Sequence, residues 1–335
     1  MISYLYVNNG ETIDPAANLA LEEYALRQLS PENDYLILYR NAPSVIVGRN
    51  QNVLEEVNDA YVRKKGIPVF RRISGGGTVY HEPGNLNFSF ITRYEPSRLH
   101  NYRFFNEPVV QILRSLGVPA EMNDRNDILA DGRKISGNAQ FSSKGRMISH
   151  GTLLFDADLE ELDRVLEVRM KNISSRSQKS VRSHVANISE FLERPMNIRK
   201  FHNILLKELL QCEPEQKCYE LGEADRLAIQ KLQNRRYRTW EWNVARSPRF
   251  QIHRSKRLQN EEMNLHLEVE KGRIRHLDIQ TKTADYTSLV EALTGVRYDP
   301  DAIAGALNEA RTTGLLDYAT QQNLLSMLYG EDEKG

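Results

Sequence analysis

Apolar and polar positions along this chain change their period several times, and each change predicts an element. Asp14-Pro15 is an N-cap followed by proline at the first helical position, and Leu19, Tyr24, Leu26 and Leu29 supply apolar helix positions, predicting a helix to about Leu29. DYLILYR (34–40) and SVIVGR (44–49) are β-rich and split by Asn41-Ala42-Pro43, which predicts two strands. A helix over 52–65 stops at Gly66. IPVFRRIS and TVYH flank Gly75, Gly76 and Gly77, and NLNFSFITR (85–93) alternates Leu86, Phe88 and Phe90 with small or polar neighbours, so all three read as strands. A helix over roughly 101–116 ends at Gly117, with Pro119 just beyond.

In DILADGRKISGNAQ (127–140), Asp131-Gly132 is a two-residue turn signal between β-prone arms. With those two residues as the loop, 130 faces 133, 129 faces 134, 128 faces 135 and 127 faces 136. Asp127, Leu129, Lys134 and Ser136 then share one face, and the Lys134 ammonium reaches the Asp127 carboxylate. A strand over 147–155 follows, then helices at about 158–167, 197–211 and 223–235. The stretch NISSRSQKSVRSHVANIS (172–189) is basic and serine-rich; it reads as a mobile surface segment whose positive clusters are also suited to an anion. A composition shift near Trp240 marks a boundary, and residues 263–281 alternate on both sides of Lys271-Gly272 as an antiparallel hairpin. Helical patterns at 285–294, 299–312 and 320–329 complete a small α+β unit, giving expected domains at 1–240 and 250–335.

Composition narrows the picture further. The 335 residues are 40% hydrophobic, enough for two or three cored domains. Lys plus Arg and Asp plus Glu are both 45, so the total charge gives no support for a broad nucleic-acid surface. The basic 171–182 stretch also lacks aromatic side chains for base stacking. No apolar run reaches membrane-spanning length and MISYLYVNNGETID lacks the regions of a signal peptide, so no membrane association and a cytoplasmic location are expected. Cys212 and Cys218 have neither zinc-knuckle nor CxxC spacing and read as ordinary reduced thiols.

The candidate chemistry lies in two places. Lys134 is either one half of an idle surface ion pair or a positioned cation, and the small, polar Ser136-Gly137-Asn138-Ala139 beside it suggests that something fits against this strand. The glycine run lacks Walker-type spacing, as well as GxGxxG, and leads into a strand rather than a helix. It is either a tight turn or a set of amides that, with Arg71 and Arg72, binds phosphate. His81 and His150 have no third ligand at zinc-like spacing and read as buried, hydrogen-bonded histidines. No cysteine occurs in the first 211 residues, which excludes a thiol nucleophile there.

Taken together, these segments resemble the lipoate-protein ligase family. RRISGGGTVYHEPGN (71–85) is similar to that family's Arg-Arg-x-Ser-Gly-Gly-Gly-x-Val-x-His-Asp-x-Gly-Asn signature, and DRNDILADGRKISGNAQ (124–140) to its Gly-Arg-Asn-Asp stretch and the lysine of Lys-x-Ser-Gly-x-Ala. HGTLLF (150–155) and SVRSHVANISE (180–190) resemble two further blocks in order, and WEWNVARSPRF (240–250) with the following hairpin resembles the accessory domain of the longer ligases. Asp124, Glu82, Ser149 and Thr78 depart from the usual residues without removing a charge the chemistry needs.

The resemblance implies an α+β fold: a mixed, mainly antiparallel sheet with flanking helices, of the biotin/lipoate ligase type, plus a small accessory domain. It implies that lipoate and ATP give lipoyl-AMP and pyrophosphate with Mg2+ present. The lipoyl group then passes to a lysine of a lipoyl carrier domain, such as those of 2-oxoacid dehydrogenase E2 subunits or the glycine cleavage H protein. Lys134 is the implied electrostatic clamp. Gly75, Gly76 and Gly77, with Ser74, Thr78, Val79, Tyr80 and His81, are implied to cover the nucleotide, with Arg72 on a phosphate. Asn126, Ser136, Gly137 and Ala139 belong to the same adenylate site, and Asn85 and Asp127 hold either the metal or the loop. His150, Gly151, Thr152 and Leu153 are implied for the lipoate slot, though hydrophobic core fits Leu153 equally well. The 172–189 segment, with Lys179, Ser180 and Arg182, is the expected closing loop. Same-fold rivals are a transferase using preformed lipoyl-AMP and an octanoyltransferase, whose cysteine type lacks its thiol here; a noncatalytic lipoate- or carrier-binding protein is set against the intact Lys134 and glycine loop.

Overall fold

The computed structural model describes residues 3–170, 172–258 and 261–330; Lys171, at the head of the basic stretch, and the last five residues of the expected second domain lie outside the described residues. A six-stranded mixed sheet forms the main body, in the order Asn138–Ser143, Arg146–Leu154, Asn85–Arg93, Asp34–Tyr39, Tyr4–Val7 and Cys218–Tyr219. The first four are antiparallel neighbours and the last two pairings are parallel.

Helices cover both faces, so the central strands are buried on each side. Leu86, Phe88 and Phe90 face the helices Tyr102–Ser115 and Ile198–Leu210, while Ile91 faces Pro15–Gln28 and Glu223–Leu232. Full burial of one such side chain stabilises the fold by about 1.5–3 kcal/mol. The Asp14 side chain caps Pro15–Gln28, and Gly66 and Gly117, both at positive φ, end their helices as expected. The helix expected over 52–65 is shorter: Val53–Glu55 is a single 3-10 turn, and the Asn58 side chain starts a separate helix, Asp59–Lys65, by accepting the Tyr61 N–H at 3.2 Å.

A small sheet sets Ser44–Val47 between Val69–Arg71, parallel to it, and Val79–His81, antiparallel. The glycine run therefore crosses from one side of this central strand to the other. Where it passes Gly48 the backbones nearly touch, since a Cβ on Gly48 would lie 2.2 Å from the Gly76 carbonyl oxygen. Gly76 itself sits at φ 95°, which disfavours any other residue.

The Asp131-Gly132 hairpin pairs Ala130 with Arg133 and Leu129 with Lys134 as expected, and then slips. Ile128 faces Ser136 instead of Ile135, so a bulge turns Ile135 into the core and leaves Ser136 fully buried. Asp131 and Gly132 both take positive φ, the mark of the predicted turn.

The C-terminal sheet pairs Phe250–Leu258, Glu261–Glu270 and Arg273–Gln280 in antiparallel order, with helices Thr287–Leu293, Pro300–Thr312 and Tyr318–Tyr329 covering its apolar face. Its fourth strand comes from elsewhere. Ile173–Ser175, in the serine-rich segment read as a solvated loop, adds to the edge of Phe250–Leu258. No helix among the described residues is long and apolar enough to cross a membrane.

Candidate active site

A cavity of about 330 Å3 opens between the glycine run, the Asp131-Gly132 hairpin, the strand Arg146–Leu154 and the serine-rich segment. The structure brings together most of the residues singled out from sequence. Gly76, Gly77, Thr78, Val79 and His81 line one wall; Asp127, Lys134, Gly137 and Ala139 line another. His150, Gly151 and Thr152 come from the central sheet, and Lys179 and Ser180 close over the top.

Lys134 meets Asp127 through a 2.9 Å Nζ–Oδ1 ion pair, as the hairpin spacing predicts. Gly137 makes room for it, because a Cβ there would press on Lys134 Cε and Nζ at 3.1 Å. The backbone is fixed as well: the Lys134 N–H donates to His184 O at 2.7 Å, and its carbonyl accepts from the Ala186 N–H at 3.0 Å. The serine-rich segment thus runs as an extra strand beside the lysine, with Lys134 bridged to Val185.

Upstream, the same segment is strapped across the glycine run. The Ser180 hydroxyl donates to the Glu56 carboxylate and accepts from the Thr78 N–H at 2.8 Å and from Gln51 Nε2 at 3.1 Å. Lys179 pairs with Glu55 at 3.3 Å, and Ser177 donates to Glu55 at 2.7 Å. Burial pushes the Glu56 carboxyl up, against the hydrogen bonds from Ser180 that lower it.

The two arginines of the expected phosphate site are differently employed. Arg71 is fully buried and points away from the cavity; its guanidinium donates to the carbonyls of Gly48, Gln51 and Asn243 at 2.7 to 3.0 Å, which ties residues 240–247 to the main body. Arg72 lines the cavity but props the loop, donating to Gly75 O and Gly77 O at 2.7 Å each, to Ile46 O at 3.2 Å and to Ser74 Oγ at 3.0 Å. Burial lowers both guanidinium pKa values to about 10, which keeps them charged at neutral pH.

From Ser74 a proton chain runs inward. The Ser74 hydroxyl lies 2.7 Å from His150 Nε2, and His150 Nδ1 lies 3.1 Å from Glu22 Oε1. The carboxylate holds a proton on Nδ1, and Nε2 shares a hydrogen bond with the Ser74 hydroxyl. Burial would raise the Glu22 carboxyl, but the charge of His150 and hydrogen bonds from His150, Ser89 and Tyr39 outweigh it and hold it low. His81 is a buried, neutral ring, since burial first and Arg72 second lower its pKa to about 3. Asn18 Nδ2 donates to Asn41 Oδ1 at 2.9 Å, which turns the Asn41 amide to donate to His81 Nδ1 at 2.9 Å.

Several expected site residues lie off the cavity wall. Leu153 is fully buried in the core on the opposite face of the strand from Thr152, as a period of two requires. Tyr80 alternates away from Val79 into a core with Val45 and Val47. Ser136 is displaced by the bulge, and Asn85 bonds to Asn87, which lines the cavity in its place. Ser74, Gly75 and Asn126 support the wall through Arg72, His150 and Asn138, whereas Arg182 is exposed beyond the rim. The sequence reading missed Glu22, Tyr39, Gln51 and Glu56; the adjacent acids inside the apolar stretch LALEEYAL were the one visible signal. Among the described residues no three acidic, histidine or cysteine side chains form a metal cluster, and Asp127 is the one carboxylate lining the cavity.

Comparisons with known proteins point to one family. The Lipoyl protein ligase A/B catalytic domain family matches residues 14–210, and the Bacterial lipoate protein ligase C-terminus family matches 247–328. The chain is 44% identical to the lipoate-protein ligase LplJ of Bacillus subtilis over 97% of its own length and 100% of the relative's. A crystal structure of lipoate-protein ligase A bound with ATP superposes with a TM-score of 0.59 at 32% identity, covering 72% of this chain and 98% of the other. A bi-partite lipoate protein ligase from Thermoplasma acidophilum, described with its E2 lipoyl domain, gives 0.61 at 29% identity, covering 72% and 96%.

Proposed function

This chain belongs to the lipoate-protein ligase family, and we propose that the cavity condenses lipoate with ATP and hands the acyl group to a carrier lysine. The observation that carries this reading is Lys134, held at 2.9 Å from Asp127 between the glycine run and the sheet strand that carries His150. A lipoate carboxylate oxygen attacks the α-phosphorus, and pyrophosphate leaves. Lys134 neutralises the charge that gathers between carboxylate and phosphate, then polarises the acyl carbonyl when the carrier amine attacks and AMP departs. The apolar acyl tail packs against Leu19, Ile46 and Tyr102, which line the cavity, at about 0.8 kcal/mol per buried methylene.

Thr78, Val79 and the glycine backbone lie against the nucleotide, with Arg72 acting through the loop that it braces. The strap over 176–184 keeps water from the acyl-adenylate. Mg2+ enters with the ATP phosphates, since one carboxylate does not make a protein cage. Carriers are lipoyl domains of the 2-oxoacid dehydrogenase E2 and glycine cleavage H type, modified in the cytoplasm. Residues 1–240 perform the chemistry and 250–335 form the accessory domain. The test is to incubate the protein with lipoate, ATP and magnesium and weigh an apo lipoyl domain; an ATP-dependent lipoyl mass gain is expected, and its absence removes the reading.

A further inference from the structure

The cavity must take a polyanionic nucleotide beside a carboxylate, so the state of each cation on its wall matters. Arg72 donates to the Gly75 and Gly77 carbonyls of the loop, to the strand carbonyl of Ile46 and to Ser74. Lys134 is matched by Asp127, Lys179 by Glu55 and His150 by Glu22. His81 is neutral. One lining cation is left. Arg125 is exposed, lines the cavity, and its guanidinium makes no ion pair among the described residues.

Its backbone is nonetheless fixed. The Asn123 carboxamide accepts the N–H groups of both Arg125 and Asp127, at 2.9 and 3.0 Å, and Asn126 between them turns at φ 67°. The same small loop therefore delivers Asp127 to Lys134 and presents the Arg125 guanidinium at the wall next to it. A planar fork of donors at this place matches a phosphate and has no competing anion to give up.

We propose that Arg125 binds the β- and γ-phosphates of ATP and stays with the pyrophosphate as it leaves. The inference rests on the ATP-dependent reading above. The carboxylate oxygen forms its bond to the α-phosphorus while the bond from that phosphorus to the bridging β-phosphate oxygen breaks, the electron pair departing with pyrophosphate. Arg125 stabilises that leaving charge and has no role once lipoyl-AMP exists.

The two half-reactions separate these steps. In the full-length chain, Arg125→Ala and Arg125→Lys are compared with wild type in ATP–pyrophosphate exchange and in transfer from prepared lipoyl-AMP to an apo lipoyl domain, with thermal unfolding as the check on folding. Removing a charge-assisted phosphate contact predicts that R125A loses about 10- to 100-fold in exchange, with higher KM values for ATP and pyrophosphate. Its loss in transfer is at least tenfold smaller, and R125K recovers part of the exchange. Equal losses in both half-reactions, or an unaltered exchange rate, overturn the assignment. A wild-type protein that transfers from lipoyl-AMP yet catalyses no exchange overturns the premise itself, a result distinguishable from a mutant that behaves like wild type.

Discussion

The hydroxyl of Ser180 accepts the backbone N–H of Thr78 at 2.8 Å, so a side chain of the strap covers an amide of the glycine run. Glu56 holds that hydroxyl in turn. Ser180→Ala removes a hydroxyl bond to a charged group, worth about 1.5–3 kcal/mol, and leaves Glu56 with the backbone N–H of residue 180. Amide hydrogen exchange over 176–184 should accelerate by about 10- to 100-fold, with little change in the central strands. Exchange over 172–189 should also respond to lipoate plus ATP; an unchanged pattern would sink the idea of a closing strap.

Lys134→Ala should lower the rate of both half-reactions by about 100- to 1000-fold, the cost of losing one group that meets developing charge. The variant should fold, because the lysine is partly exposed and its Asp127 partner reaches solvent. Stopped assays with ATP and with lipoyl-AMP check this. Equal activity in mutant and wild type would remove the electrostatic clamp.

Local signals made much of this site legible. Asp131-Gly132 fixed the hairpin turn, and with it the reach of Lys134 to Asp127, because turn chemistry and strand alternation depend only on neighbouring residues. Ser136 escaped because a bulge is a tertiary matter: burying Ile135 outweighed regular pairing. The solvated-loop reading of part of the strap failed for the same reason. Its serines look solvated by composition, yet Ile173–Ser175 is held by the distant strand Phe250–Leu258, and Ser180 by Glu56. Arg72 next to the glycines reads as a phosphate ligand, and what the sequence does not show is that its guanidinium also braces the Ile46, Gly75 and Gly77 carbonyls.

Two glycines should respond differently to the same added methyl. A Cβ on Gly77 meets the Ser180 hydroxyl at 3.0 Å, whereas one on Gly48 meets the Gly76 carbonyl at 2.2 Å, a contact that backbone cannot give. Gly77→Ala should fold and push the strap open, raising exchange over 176–184. Gly48→Ala should destabilise the small sheet by about 1–3 kcal/mol, the usual cost of overpacking. Denaturant midpoints for the two variants are the measurement; a G48A midpoint equal to wild type would contradict the close approach.

Stability should fall with acid earlier than the carboxylates alone require, because His81 is buried and neutral. Its pKa is lowered from 6.5 to about 3, so between those values the unfolded chain binds a proton that the folded chain does not. Above pH 6.5 the group imposes no penalty; as pH falls toward 3 it removes up to about 1.4 kcal/mol of stability per unit. His81→Asn keeps an acceptor for the Asn41 amide and cannot titrate. The unfolding free energy of wild type minus that of H81N, measured by denaturant between pH 7 and 5, should therefore fall as pH is lowered, whatever its sign at pH 7. Parallel curves over that range would mean that His81 is already paired or protonated in the folded protein.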